Sequence, residues 1–252
     1  MADETHRGKV AVITGGGRGF GKAFGTALAA RGAHVVLADV DAAAAEAAAA
    51  EIAGQGGSAS GVSCDVTDEV GVAAMVDEVT AAHGGIDILV NNAGLHSAAY
   101  NRPSAEIGVA GLRRLFDVNV MGVYICSLAA RTAMSGRDGA AVVNISSSAA
   151  YANRAAYGVS KLAVRGVTAQ LAREFAADGI RVNAIAPGLI FTDTIRAELA
   201  RDEVTRVMGQ QILPREGGEQ DIVDALLFLV SPEASFVTGE TLRVSGGFAL
   251  SV

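Results

Sequence analysis

A chain of 252 residues, half of them hydrophobic, is long enough to bury one large core or two small ones. A formal net charge of −7, with no basic run, argues against a nucleic-acid or anionic-membrane partner. Cys64 and Cys126 are too few for a disulfide framework and read as reduced thiols, and the four histidines show no ligand spacing, so no metal is expected.

In chain order, short β-branched runs alternate with longer Ala-rich stretches. Val10–Thr14 is apolar up to its last residue, as a strand covered on both faces requires. Thr14-Gly15-Gly16-Gly17-Arg18-Gly19-Phe20-Gly21 follows and leads into a helix near Gly21–Arg31. Glycine at 15, 19 and 21 permits a sharp turn and lets backbone approach a pyrophosphate, while the helix N-terminus offers free N–H groups. The turn is a weak signal alone; strand before and helix after give it meaning. No Gly-Lys-Ser/Thr follows, which excludes a kinase-type phosphate loop.

The second strand, His34–Asp39, ends 20 residues beyond Gly19. A carboxylate there accepts hydrogen bonds from ribose hydroxyls and repels a 2′-phosphate, which favours NAD. Arg18 pulls toward NADP, since a guanidinium pairs with phosphate. Asp41 is the better N-cap for a helix over Asp41–Gly54. The third strand, Ser58–Ser63, is followed by Asp65-Val66, placed to meet the adenine amino group and ring; the alternative is a turn from Asp65 to Asp68, where a helix to His83 begins.

A fourth strand, Ile86–Asn91, runs into Asn92-Ala93-Gly94, and His96–Gly111 reads as a pocket rim in which His96 could touch substrate. A helix over Ala110–Ala133 leads to a fifth strand, Ala140–Ile145, and to Ser146, Ser147 and Ser148. A helix over Tyr157–Asp178 comes next. Tyr157 and Lys161 are four apart and share a face. An ammonium beside a phenol lowers its pKa, and such a phenol exchanges a proton with a carbonyl or alcohol oxygen. A serine at the neighbouring strand end stabilises the charge that develops there. A sixth strand, Arg181–Ala186, ends at Pro187-Gly188. The charged stretch to Pro214 reads as a substrate lid near 189–214, ahead of a helix Glu219–Val230 and a strand Thr241–Val244.

This alternation predicts an α/β fold: a single-domain, Rossmann-like, doubly wound parallel sheet of about seven strands with helices on both faces. One domain over residues 1–252 is expected, since no linker or repeat divides the chain. The polar start Met1–Lys9 is unlike a signal peptide, and no apolar run has membrane-spanning length, so a cytoplasmic protein is expected.

With these motifs laid out in order, the chain resembles the classical short-chain dehydrogenase/reductase family from Gly8 to Gly247. The resemblance rests on the glycine turn, Asp65-Val66, Asn91-Asn92-Ala93-Gly94, Asn119, Asn144-Ile-Ser-Ser147, Tyr157-x-x-x-Lys161 and Pro187-Gly188. It implies a catalytic tetrad of Asn119, Ser147, Tyr157 and Lys161, with Asn119 interrupting a helix and holding a water beside the lysine. Lys161 would also grip the nicotinamide ribose. The cofactor would meet Gly15, Arg18, Gly19, Phe20, Gly21, Asp39, Asp65, Val66, Asn92, Ala93, Gly94 and Tyr157. Pro187, Gly188, Ile190 and Thr192 would cover the nicotinamide carboxamide, while Asn91 braces the sheet. The segment between the serines and Tyr157 is shorter than the usual family spacing, which leaves Ser146 and Ser148 as alternatives to Ser147.

A substrate pocket of Leu95, Ala149, Tyr151, Asn153, Leu189 and Phe191 is mostly apolar and points to a hydrophobic secondary alcohol or ketone. A homotetramer or homodimer is implied by the resemblance, with the helix bearing Tyr157 packed on its mate and the apolar tail Phe248–Val252 free to join a second contact. Two other readings stay open: an NADP-dependent reductase of a 3-oxoacyl substrate, and a non-catalytic dinucleotide-sensing protein.

Overall fold

The computed structural model describes residues 5–95, 100–152, 155–191 and 201–248. Seven strands form one sheet in the order β3-β2-β1-β4-β5-β6-β7. They are β1 (Val10–Thr14), β2 (His34–Asp39), β3 (Ser58–Ser63), β4 (Ile88–Asn91), β5 (Ala141–Ile145), β6 (Arg181–Pro187) and β7 (Thr241–Val244). All six pairings are parallel. The strand order turns back between β1 and β4, the place where such sheets open a crevice above their carboxyl ends.

Alternation along each strand feeds two separate cores. Val10 and Val12 of β1 join Val72, Val76, Val123, Ala130, Val164 and Leu171 on one face. These come from α3 (Glu69–His83), α5 (Gly122–Met134) and α7 (Ala156–Glu174). Ala11 and Ile13 point the other way, toward Phe24, Leu28, Ile52, Ile222 and Leu226. Those belong to α1 (Gly19–Ala29), α2 (Ala42–Gly54) and α9 (Glu219–Val230). A strand buried on both faces in this way needs apolar residues at consecutive positions, as β1 has. Among the described residues no helix is long and apolar enough to cross a membrane.

Local signals set most boundaries. Asp41 caps α2 by accepting from Ala44 N–H at 3.1 Å, and Asp68 caps α3 by accepting from Val70 N–H at 3.1 Å. Gly84, at φ 80°, ends α3 in the left-handed region. Two expectations are corrected. The helix expected over Ala110–Ala133 is α4 (Ser104–Phe116), a π-helical turn Asp117–Met121 and α5, and residue Gly108 inside α4 is non-helical at φ 70°. Apolar periodicity does not register one extra residue in a turn, and here the turn carries Asn119. The helix expected to reach Asp178 stops at Glu174, followed by a 3-10 turn and left-handed Gly179. Two short helices complete the set, α6 (Ala149–Ala152) and α8 (Arg201–Met208).

Beneath the carboxyl edge, a buried polar ladder ties the sheet to the helices. Asn91 Nδ2 donates to Asn144 Oδ1 at 2.8 Å and to Ser127 Oγ at 2.9 Å, and Asn144 Nδ2 donates to Thr168 Oγ1 at 2.9 Å. Asn91 thus braces β4 against β5 and α5. Asn144→Ala removes two buried hydrogen bonds at once, while Asn91 keeps Ser127 and Thr168 keeps Val164 O. At about 0.5–1.5 kcal/mol per bond, we expect a loss of roughly 1–3 kcal/mol in urea denaturation.

Candidate active site

The glycine turn joins β1 to α1 and is packed from behind. A Cβ at Gly15, whose φ is 63°, would stand 2.9 Å from Ala93 Cα, and one at Gly21 would stand 2.1 Å from Gly15 O. Thr14 Oγ1 accepts from Asn92 N–H and Ala93 N–H, each at 3.1 Å. Asn92 Nδ2 donates to Thr14 O at 3.0 Å and Gly15 O at 2.9 Å. Asn92 and Ala93 therefore hold the turn in shape. Gly19, at φ 51°, faces open space, with no atom within 4 Å of a Cβ built there. Arg18 is exposed beside it, and Phe20 turns inward onto Phe24 with ring centroids 6.1 Å apart.

Asp39 is buried at the end of β2. Its Oδ2 accepts from Gly17 N–H and its Oδ1 from Asp41 N–H, each at 3.0 Å. The carboxylate is thereby fixed against the turn before any ligand arrives. An open left-handed glycine, the N-terminus of an eleven-residue helix and an oriented carboxylate are the donor set that the diphosphate and ribose of a dinucleotide need, and the residues present fit that group. Asp65 is committed in part elsewhere: its Oδ1 accepts from Thr67 N–H at 2.9 Å and Thr67 Oγ1 at 2.7 Å, bonds that hold its carboxyl below the usual range. Asp68 N–H bonds Asp65 O at 3.0 Å, so the turn alternative is present here. Val66 is buried against Gly122.

Asn119, Ser147, Tyr157 and Lys161 come from the π-turn, the end of β5 and the first turns of α7. Lys161 is 5% exposed, and its Nζ donates to Ile145 O at 2.8 Å. Ser146 Oγ returns a bond to Lys161 O at 2.8 Å, so Ser146 is a fastener between β5 and α7. Ser148 is buried, and its N–H donates to Pro187 O at 2.7 Å. Ser147 Oγ accepts from Ala149 N–H at 3.1 Å, and of the three serines it is the one whose hydroxyl acts on the Tyr157 phenol, lowering its pKa. Asn119 Oδ1 accepts from Leu95 N–H at 2.8 Å, and Asn119 Nδ2 donates to Ser160 Oγ at 3.1 Å. Ser160 in turn donates to Tyr157 O at 2.7 Å. A Cβ on Gly94 would stand 3.3 Å from both Asn119 Oδ1 and Lys161 Nζ, so that glycine borders the space where they meet.

The electrostatics correct one expectation. Lys161 Nζ lies 5.9 Å from the Tyr157 ring centroid, yet the phenol pKa is raised. Burial is the main cause, and the Ser147 hydrogen bond opposes it. The same burial pushes the Lys161 ammonium down to about 8. Removing the phenolate charge from water outweighs the lowering influence of the Ser147 hydroxyl.

Past β6, Gly188 N–H bonds Val244 O at 2.8 Å, and a Cβ on Gly188 would stand 2.7 Å from Ser245 Cα. Ile190 is buried, while Leu189 and Phe191 are half-buried. Tyr151 is half-buried, and the guanidiniums of Arg165 and Arg243 stack on its ring, with Cζ at 4.0 Å and 4.4 Å from the centroid. Thr192, Asn153 and His96, with 192–200 of the expected lid and 249–252 of the tail, lie outside the described residues. Sequence reasoning missed Ser160, although it stands three residues past Tyr157; it missed Arg165 and Arg243 because nothing local marks their meeting across the fold. Gly21→Ala drives a methyl into Gly15 O, and we expect overpacking to cost about 1–3 kcal/mol or more, read as a lower midpoint in urea denaturation.

A family model described as enoyl-(acyl carrier protein) reductase matches residues 15–249. Cis-4-hydroxycyclohexanecarboxylate dehydrogenase of Sinomonas cyclohexanicum is 39% identical over 243 residues, covering 95% of this chain and 96% of that protein. A 7α-hydroxysteroid dehydrogenase complexed with NADH and 7-oxo glycochenodeoxycholic acid superposes with a TM-score of 0.90 at 35% identity, covering 99% of this chain and 98% of that one. A blue fluorescent protein from a metagenomic library, in complex with NADPH, has a TM-score of 0.88 at 35% identity, covering 98% of this chain and 100% of that one. The chain, an oxidoreductase by descent, belongs to the classical short-chain dehydrogenase/reductase family.

Proposed function

We propose that this chain is an NAD-dependent oxidoreductase that interconverts a secondary alcohol and a ketone, with Tyr157 as the proton-transfer residue. The observation that carries this reading is the convergence of Tyr157, Ser147, Lys161 and Asn119 beside Gly94, at the strand ends that open next to the glycine turn. A bound dinucleotide supplies or takes up the hydride at its nicotinamide ring; the chain's own residues manage the proton and the charge.

Ser147 and Tyr157 offer two hydroxyls to one substrate oxygen. The phenol is protonated at neutral pH, the state that donates to a carbonyl oxygen as the ketone is reduced, and burial raises its pKa further. Alcohol oxidation needs the phenolate; in this reading Lys161, buried and bonded to Ile145 O, stabilises it and bonds the nicotinamide ribose. Asn119 shapes the floor through Leu95 and Ser160. Cofactor roles for Gly15, Arg18, Gly19, Gly21, Asp39, Gly94, Pro187, Gly188 and Ile190 belong to the same proposal.

The substrate is a small alcohol or ketone with an apolar body lying against Leu95, Ala149, Leu189 and Phe191. A dimer or tetramer belongs to the same reading; Met121 and Leu128 of the π-turn and α5 and Val159 and Leu162 of α7 are exposed apolar residues that a second copy of the chain could cover. An NADP-linked reductase of an acyl-carrier substrate is the second reading, favoured by the description of the matching family model and by exposed Arg18.

Absorbance assays of NADH turnover with a ketone and alcohol panel test the mechanism. Tyr157→Phe should lower kcat by at least about 10²-fold in both directions, and Ser147→Ala by roughly 10²–10³-fold. Because the phenol pKa is raised, alcohol oxidation should climb as pH rises from neutral, while ketone reduction stays level and then declines. A Tyr157→Phe enzyme as fast as its parent would sink the reading. For the cofactor, the parent should bind NADH at least about tenfold tighter than NADPH, and Asp39→Ala should narrow that gap; a parent that prefers NADPH hands the case to the second reading.

A further inference from the structure

The segment leaving β6 rests on a support that no sequence motif marks. Ile190 pairs with Gly217 in an isolated parallel bridge, and Phe191 N–H donates to Gly217 O at 2.9 Å. A Cβ on Gly217 would stand 2.7 Å from Ile190 Cδ1 and 3.2 Å from Leu189 O, so a side chain at residue 217 would have to displace the Ile190 side chain. A glycine has no side chain with which to fix itself. Its neighbours do so.

Gly218 N–H donates to Asp221 Oδ2 at 2.8 Å. Arg215, on the other side of Gly217, closes a two-pronged pair on the same carboxylate, Nη1 to Oδ2 at 2.8 Å and Nη2 to Oδ1 at 2.6 Å. Asp221 therefore grips the chain on both sides of Gly217. Gln211 Nε2 adds bonds to Leu213 O at 2.8 Å and Arg215 O at 2.6 Å. The grip is anchored: Asp221 stands in the first turn of α9, and its neighbours Ile222, Val223 and Leu226 are buried in the core. An isolated surface ion pair contributes little. Here the guanidinium fork and a backbone N–H share one carboxylate, so the geometry is overdetermined.

We propose that Asp221 is a positioning residue for the nicotinamide half of the cofactor. It acts through Arg215, Gly218 and Gly217 on the backbone of Phe191 and on Ile190, which the family resemblance sets over the nicotinamide carboxamide and to which the proposed function, on which this inference rests, gives a cofactor role. Asp221 touches neither cofactor nor substrate. The adenosine half, assigned to Gly15–Gly21 and Asp39 at the other end of the crevice, does not depend on it.

The test compares a whole dinucleotide with its adenosine half. The better bound of NADH and NADPH, and the matching ADP-ribose or 2′-phospho-ADP-ribose, are titrated calorimetrically into the parent, Asp221→Asn, Arg215→Lys and Arg215→Met. Asp221→Asn and Arg215→Met should weaken the whole dinucleotide by about tenfold and leave the half-ligand within about twofold. Arg215→Lys should fall between, since an ammonium lacks the fork. The KM for the dinucleotide should rise more than kcat falls. Equal weakening of both ligands, or no weakening of either, overturns the proposal. Arg215→Met leaves the Asp221–Gly218 bond in place and decides the matter should Asp221→Asn not fold. A parent that binds neither ligand overturns the proposed function and this inference with it; a parent that binds both, with variants indistinguishable from it, overturns this inference alone.

Discussion

One buried cation organises the edge of the sheet. Lys161 Nζ is out of water and donates to Ile145 O at 2.8 Å, while Ser146 Oγ returns a bond to Lys161 O at 2.8 Å. Burying an ammonium costs several kcal/mol unless hydrogen bonds replace its hydration. The carbonyl that does so is the last of β5, so α7 cannot shift along the sheet without exposing that cost. With β5 and α7 fastened in this way, the next residue after Ser146 is the one carried to the Tyr157 phenol. The polar ladder of Asn91, Asn144 and Thr168 holds the same two elements lower down. Fastener and ladder together give the phenol and hydroxyl a geometry that a flexible loop would not keep.

The opposite side of the crevice is ordered by the same means, with glycine in the part that a small side chain cannot play. Gly15 and Gly21 leave room for Asn92 to bond two carbonyls of the turn. Asp39 receives two backbone N–H groups and is already oriented. Preorganisation of this kind lowers the ordering cost when a ligand binds. On the far side, the Tyr151 ring carries the guanidiniums of Arg165 and Arg243.

The sheet, its parallel sense and the position of nearly every strand were legible from the chain itself, because a β-branched run followed by a turn and an amphipathic stretch has few other solutions. The candidate phosphate turn was legible for the same reason: Gly15, Gly19 and Gly21 are local demands on backbone conformation. The spacing of Tyr157 and Lys161 is likewise local, one turn of helix.

What the chain order could not contain is the outcome of burial and of contacts between distant segments. Which of three adjacent serines meets the phenol depends on where β5 stops relative to α7. The phenol pKa goes up and not down because desolvation is a property of the packed interior. The contacts of Tyr151 with Arg165 and Arg243 and the bridge from Ile190 to Gly217 join residues well separated in sequence, and the π-turn around Asn119 adds a residue that apolar periodicity does not register. Periodicity and local propensity determined the fold and pointed to the crevice. Only the tertiary structure decided the charge states and the partners, because those depend on distances through space that no spacing along the chain encodes.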